Sequence, residues 1–252
     1  MRLHVERHGS GPDLVLLHGW GLHAGAWREA VDALETRFSV HAFDLPGHGR
    51  SRDVPTTFDD AAVLLEREIP TGAVLCGWSL GGLLAQRIAQ RCGHRLRALV
   101  LVSTTPCFVQ RADWPDAMTP ATLADFAEGL HRDRDRTLRD FVQLNALHGV
   151  HGREAARAFT RRLAEHGAPA AEALQATLAW LCDTDLRDAA HAIACPTLVV
   201  HGTRDALAPV AAGRWLAREI PGARLLELED AAHLPFFTHR DAFVGALESF
   251  VA

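Results

Sequence analysis

Short unbroken apolar runs alternate with stretches of helical periodicity along the first hundred residues. Leu14-Val15-Leu16-Leu17 reads as a buried strand, stopped by His18-Gly19-Trp20-Gly21. A helix is predicted from about Trp27 to Thr36. Phe38 to Asp44 is the next strand, closed by Pro46-Gly47-His48-Gly49. Thr57 to Arg67 reads as a helix, Ala73 to Gly77 as a strand, Leu80 to Gln90 as a helix and Leu96 to Val102 as a strand. Strands that are apolar throughout, rather than alternating, are those covered on both faces, as in a parallel sheet.

The pattern changes at Pro106. From there to about Ala190 only helical periodicity is present, with helices predicted from Thr119-Pro120, over Arg134 to Leu147, Arg153 to Glu165 and Ala170 to Leu181. Strands return at Thr197 to His201 and Arg224 to Leu228, with helices over Val210 to Glu219 and Arg240 to Val251. The expected architecture is α/β: a mostly parallel central sheet with helices on both faces. Residues 1–106 and 191–252 form its core, and residues 107–190 an inserted helical cap.

Composition narrows the chemistry. A length of 252 residues suits one such domain, and a net charge of −5 carries no nucleic-acid signature. All the basic side chains other than histidine are Arg, and Tyr is absent. That pattern reflects base composition, yet it excludes Schiff-base chemistry on a lysine. The five cysteines are scattered without a CxxC pair, so neither a zinc site nor a disulfide framework is expected. No apolar run suggests a signal peptide or a membrane span. A reduced cytoplasmic compartment is expected, and a monomer, since no exposed apolar stripe stands out.

The strongest chemical signal is Gly77-Trp78-Ser79-Leu80-Gly81, a G-x-S-x-G motif between a strand and a helix. A serine on so sharp a turn must adopt a strained backbone, and side chains at positions 77 and 81 would clash. Ser79 is the candidate nucleophile, and the backbone N–H of Leu80 at the helix start is a candidate oxyanion donor. The glycine loop after the first strand offers Trp20 N–H as the second donor, with His18 a structural hydrogen-bonder. A serine needs a histidine base oriented by a carboxylate. Chain order selects Asp205, in Gly202-Thr203-Arg204-Asp205, and His233, in Ala231-Ala232-His233. Rival bases are His191, His201 and His239; rival acids are Asp44, Asp185, Glu229 and Asp230. Asp44 is expected to organise a loop near Arg50 and Ser51.

These blocks resemble the α/β-hydrolase superfamily along nearly the whole chain. Phe43 to Ser51, Gly77 to Gly82, Gly202 to Asp205 and Ala231 to His233 carry the likeness with the His18 loop. Within it the chain is similar to the pimeloyl-[acyl-carrier protein] methyl ester esterases of biotin synthesis. That narrower likeness rests on His-Gly-Trp-Gly-Leu, Gly-Trp-Ser-Leu-Gly-Gly-Leu, Ser-Thr-Thr-Pro-Cys-Phe followed by Asp113-Trp114-Pro115, Arg136 to Asn145, and Thr184 to Arg187. The resemblance implies a serine carboxylesterase without metal or organic cofactor, acting on an acyl chain delivered by acyl carrier protein. Trp20, Ser79, Leu80 and His233 would hold the reacting group, and Phe141, Val142, Gln143, Leu144 and Asn145 would line the acyl channel. Asn145 stands where Gln is expected, and Asp140 where a basic residue is common.

Arg153, Arg157 and Arg161 recur at helical spacing and share one face. With Arg136, Arg139 and Arg162 they form a candidate docking patch for an acidic carrier protein. The alternative is a solvated face paired locally with Glu154 and Glu165. Trp78 and Phe141 read equally as tunnel walls and as core. Two rivals share the candidate triad: a promiscuous short-chain carboxylesterase or C–C bond hydrolase, and a slow-turnover ligand receptor.

Overall fold

The computed structural model describes residues 2–55, 57–166 and 169–252. Gly167 and Ala168, within the expected cap, lie outside the described residues. Seven strands form one sheet: β1 (Val5–His8), β2 (Asp13–Leu17), β3 (Ser39–Phe43), β4 (Val74–Trp78), β5 (Ala98–Val102), β6 (Thr197–Gly202) and β7 (Arg224–Leu228). Their spatial order is β1-β3-β2-β4-β5-β6-β7; β1 pairs antiparallel with β3, and all other pairs are parallel. The helices are α1 (Arg28–Leu34), α2 (Phe58–Glu68), α3 (Leu80–Cys92), α4 (Pro120–Arg132), α5 (Arg134–Ala146), α6 (Gly152–Glu165), α7 (Ala171–Asp183), α8 (Val210–Glu219), α9 (Pro235–Thr238) and α10 (Arg240–Val251).

Alternation along each strand explains why the apolar runs are unbroken. Val15, Leu17, Leu75, Leu99 and Leu101 feed one buried cluster with α2, α3 and α8. Leu14, Leu16, Val74, Cys76, Val100 and Val102 feed the other, with α1 and α10. Strand β1 escaped the sequence reading. It is four residues long, polar and half-exposed, and it lies on the sheet edge, where burial demands no apolar run. The Trp27-to-Thr36 helix is shorter than expected, because a 3-10 turn over Ala24–Trp27, capped by the His23 ring, precedes α1.

Between β5 and β6 the chain passes through α4 to α7. It leaves and returns at one point, where Leu186 N–H donates to Pro106 O at 2.9 Å. Stitches tie these helices to the sheet domain. Arg162 on α6 pairs with Glu29 on α1, Glu165 takes a bidentate Arg28 at 2.8 and 3.0 Å, and His23 Nε2–H donates to Arg162 O at 2.7 Å. The Arg162 guanidinium is buried and lies over the rings of Phe159 and Phe237.

Candidate active site

Ser79 follows β4 directly and caps α3, with φ 55° and ψ −118°. That conformation costs roughly 1–3 kcal/mol for a non-glycine residue and survives only where its surroundings over-determine it. They do. Ser79 N–H donates to Val102 O at 3.1 Å, and Ser79 O accepts from Leu83 N–H at 3.0 Å and Thr104 Oγ1–H at 2.8 Å. The flanking glycines are steric necessities. A Cβ on Gly77 would lie 2.3 Å from Gly81 O, and one on Gly81 would lie 2.4 Å from Leu17 O. With Ser79 O held, the N–H of the same planar peptide, Leu80 N–H, points the opposite way, out of the α3 N-terminus.

The loop after β2 lies against this turn. A Cβ on Gly19 would come within 3.2 Å of Ser79 Cβ. The Trp20 side chain is buried, donating from Nε1 to Leu174 O on α7 at 3.1 Å and meeting the Phe141 ring edge-on at 4.9 Å. Strands β2 and β4 are neighbours although β3 comes between them in sequence. Their carboxyl ends therefore flank the crevice where connections diverge, the usual place for a site in an open α/β sheet.

Asp205 and His233 follow β6 and β7 at the same sheet edge. His233 Nδ1–H donates to both carboxylate oxygens of Asp205, at 2.8 and 3.0 Å. Oδ1 also accepts the N–H groups of Leu207 and Ala208, each at 2.9 Å. Burial of Asp205 opposes ionisation, but the facing imidazole of His233, His201 and the backbone donors outweigh it. They hold the carboxyl below its ordinary range. The Asp205 bond fixes the His233 tautomer, so Nε2 presents a lone pair. Nε2 is buried and has no hydrogen-bond partner among the described residues, so the Ser79–His233 bond is open here. Such bonds commonly tighten only when substrate binds. The two residues are tethered through the Trp78 indole: Trp78 Nε1–H, one residue before Ser79, donates to His233 O at 2.8 Å.

Most of the rival groups are otherwise engaged. His201 is buried in β6, bonded through Nε2–H to Ala208 O at 2.7 Å, and burial pulls its pKa down. His191 is exposed, and His239 starts α10 beside the Thr238 hydroxyl. Asp185 binds Arg187 and Asp230 binds Arg204. Asp44 accepts Ala24 N–H at 2.7 Å and Arg50 N–H at 2.8 Å, the loop-organising role expected of it. Trp78 is core, packed on Phe236 and Phe159, and not a tunnel wall.

The segment from Phe141 to Asn145 does not present one face, because successive helical residues turn by about 100°. Phe141, Leu144 and Asn145 share a side, with Phe141 and Leu144 in the cluster that holds Trp20. Val142 packs with Trp78 and Phe159, and Gln143 faces solvent. Asn145 O accepts His233 N–H at 3.2 Å, and its side-chain Oδ1 is buried without a partner among the described residues. Arg136, Arg153 and Arg157 are exposed. Arg136 pairs with Asp140 at 3.7 Å, while no ion pair engages Arg139, Arg153, Arg157 or Arg161 among the described residues. The expected membership of Arg162 in that patch is corrected: it is buried against Glu29. Glu165 serves Arg28, and Glu154 lies 3.9 Å from His151, so neither offers the local pairing considered for the α6 arginines. No cluster of three or more His, Cys, Asp or Glu suited to a metal ion occurs among the described residues.

The profile of the alpha/beta hydrolase family matches residues 14–246, which span β3 to β7, all of β2 but Asp13, and all of the candidate site. The chain belongs to this family. The hydrolase is 42% identical over 248 residues to a pimeloyl-[acyl-carrier protein] methyl ester esterase of Chromobacterium violaceum, covering 98% of this chain and 97% of the relative. It is 40% identical to the protein of the same name from Nitrosomonas europaea, covering 98% of each. Among solved structures it is similar to an esterase from Exiguobacterium antarcticum, at a TM-score of 0.88 and 27% identity, covering 99% of this chain and 95% of that one. No helix among the described residues is long and apolar enough to cross a membrane.

Several contacts that shape the hydrolase's site were not foreseen in the sequence. Thr104 holds the Ser79 carbonyl, Trp78 tethers His233, His201 braces the Asp205 turn, and His48 Nε2 accepts Gly21 N–H at 3.1 Å. The order of motifs carries no trace of these bonds. Each joins segments distant in sequence, or depends on a turn whose shape no local pattern specifies.

Proposed function

We propose that this hydrolase is a serine carboxylesterase that cleaves the methyl ester of pimeloyl-[acyl-carrier protein], releasing methanol and the free acid on its carrier. The full-length likeness to relatives of that name supports the substrate. The observation that carries the chemistry is the bidentate contact of His233 Nδ1–H with a buried carboxylate, beside a serine on a strained turn. Ser79 Oγ attacks the ester carbonyl while His233 Nε2 takes its proton and Asp205 steadies the imidazolium. The N–H groups of Trp20 and Leu80 receive the oxyanion. Methanol leaves with the proton from His233. Water, deprotonated by His233, then attacks the acyl-enzyme and Ser79 departs.

Trp20, Phe141 and Phe126 meet edge to face, with centroids 4.9 and 5.6 Å apart. Phe126 in turn borders a groove of about 510 Å³ between α4 and α5, whose rim holds Arg136. This file of rings would carry an apolar acyl chain from the α4–α7 cap surface to Ser79. The carrier would dock by its acidic face on Arg136, Arg153 and Arg157.

Two measurements test the reading. Ser79→Ala should lower hydrolysis of a p-nitrophenyl ester by at least about 10³-fold with the fold intact. Retained activity would exclude this nucleophile, and equal near-zero rates in both proteins would favour a receptor. The doubly reversed Arg153→Glu/Arg157→Glu should lower kcat/KM for the carrier-linked ester about tenfold or more relative to the small ester, most at low salt. A ratio that does not move removes the docking site. A preference for short free esters over the carrier-linked one would instead favour a general carboxylesterase.

A further inference from the structure

The block Pro46-Gly47-His48-Gly49 has no part in the chemistry above, yet it is bonded to the loop that bears Trp20. His48 is fully buried. Its Nδ1–H donates to Pro46 O at 3.0 Å, which leaves Nε2 as the acceptor for Gly21 N–H at 3.1 Å. His18, also fully buried, is wired in the same sense from the facing loop. Its Nε2 accepts Leu45 N–H at 2.9 Å, and its Nδ1–H donates to Gly19 O at 2.7 Å. The two rings meet edge-on, with centroids 5.4 Å apart.

These four bonds bear on one atom. Gly19 O and Trp20 N–H belong to the same peptide, and in a trans peptide the carbonyl and the N–H point in opposite directions. Holding Gly19 O on His18 therefore aims Trp20 N–H away from the His18 ring. The next peptide is held through Gly21 N–H on His48. Glycines at positions 19 and 21 leave the loop free to rotate either peptide, so something outside it must choose the orientation.

We propose that His18 and His48 are positioning residues for ester hydrolysis, two buried neutral imidazoles that fix the peptides on either side of Trp20 so that its N–H faces the oxyanion. This rests on the reading above that Trp20 N–H is an oxyanion donor. Each ring must stay neutral, because each uses one nitrogen as donor and the other as acceptor. Burial secures this, pulling the pKa of His18 down to about 3 and that of His48 to about 4.

The stereochemistry of the two rings supplies the test. A glutamine amide oxygen reaches about as far as Nε2, and an asparagine amide N–H about as far as Nδ1. His48→Gln should keep the acceptor for Gly21, and His18→Asn the donor to Gly19. His48→Asn, His48→Leu and His18→Gln should not. The probes are a p-nitrophenyl ester and a trifluoromethyl ketone of the same acyl chain, which forms an oxyanion adduct with the serine. His48→Leu is expected to lower kcat about 10- to 100-fold and to weaken the ketone by a similar factor, with KM within about twofold of wild type. His48→Gln should recover most of that loss, and His18→Asn should exceed His18→Gln in kcat and ketone affinity by a similar factor. Unchanged kcat in His48→Leu, or a rise in KM with kcat and ketone affinity intact, overturns the proposal. If the leucine variant does not fold, the Gln and Asn variants at position 48 decide, and equal kcat in the two overturns it. Ser79→Ala separates the two readings. Activity surviving there removes the serine mechanism itself. An inactive Ser79→Ala beside an unaffected His48→Leu removes only the positioning role.

Discussion

At the scale of single residues, the site is a set of conformations that neighbouring groups impose. Ser79 tolerates a left-handed φ because its N–H and C=O are both bonded to partners beyond the turn. Asp205 stays ionised while buried because four N–H contacts converge on it, two from the His233 ring to its two oxygens and two from backbone. Asp205→Asn should therefore leave far-ultraviolet circular dichroism unchanged and lower kcat by about 10⁴-fold, because the amide no longer dictates the His233 tautomer. A loss below about tenfold would mean that the carboxylate does not orient the base. The candidate trio Ser79, Asp205 and His233 was selected in the sequence because strand order and motif order restrict where each can fall. The open Ser79–His233 contact was not legible there, since it depends on side-chain placement to within an ångström.

At the scale of elements, α6 and α1 are joined by a charge pair of unequal exposure. Arg162 is 3% exposed and the Glu29 side chain 33%. Removing only the carboxylate strands a buried guanidinium. Glu29→Gln should thus lower unfolding stability by about 3 kcal/mol, read by urea denaturation. Replacing both, as Arg162→Met with Glu29→Leu, should come within about 1 kcal/mol of wild type, because desolvation of the pair offsets most of its attraction. If the double variant is as unstable as the single one, packing of the arginine stem rather than its charge matters. The helical pattern of α6 placed Arg162 one position from the exposed Arg161, and that single step of about 100° turns it inward. Periodicity showed which residues share a face, but α6 is covered on the side that Arg162 occupies.

At the scale of the whole molecule, buried neutral histidines link stability to pH. His18 and His48 have folded pKa values of about 3 and about 4, against 6.5 when unfolded. Between those values the unfolded chain binds protons that the folded one does not, so stability falls as the pH drops. Their contribution is complete above about pH 6.5 and is lost toward pH 4, by up to roughly 1.4 kcal/mol per histidine per pH unit. Asp205, depressed below 3.8, acts in the same direction at still lower pH. Tm should therefore decline steadily from pH 7 to pH 5, and His48→Gln should flatten that decline; equal slopes in the two proteins would count against a buried neutral His48. By itself the sequence determined the sheet strands that are buried on both faces, the helical run between β5 and β6, and the order of the candidate serine, acid and base, because burial and turn sterics write themselves into local residue patterns. Only the tertiary structure decided which peptides are pinned beside Trp20, which arginine is buried and which histidine braces which loop. Those outcomes rest on hydrogen bonds and contacts between segments far apart in the chain, and no local pattern encodes the partner at the other end.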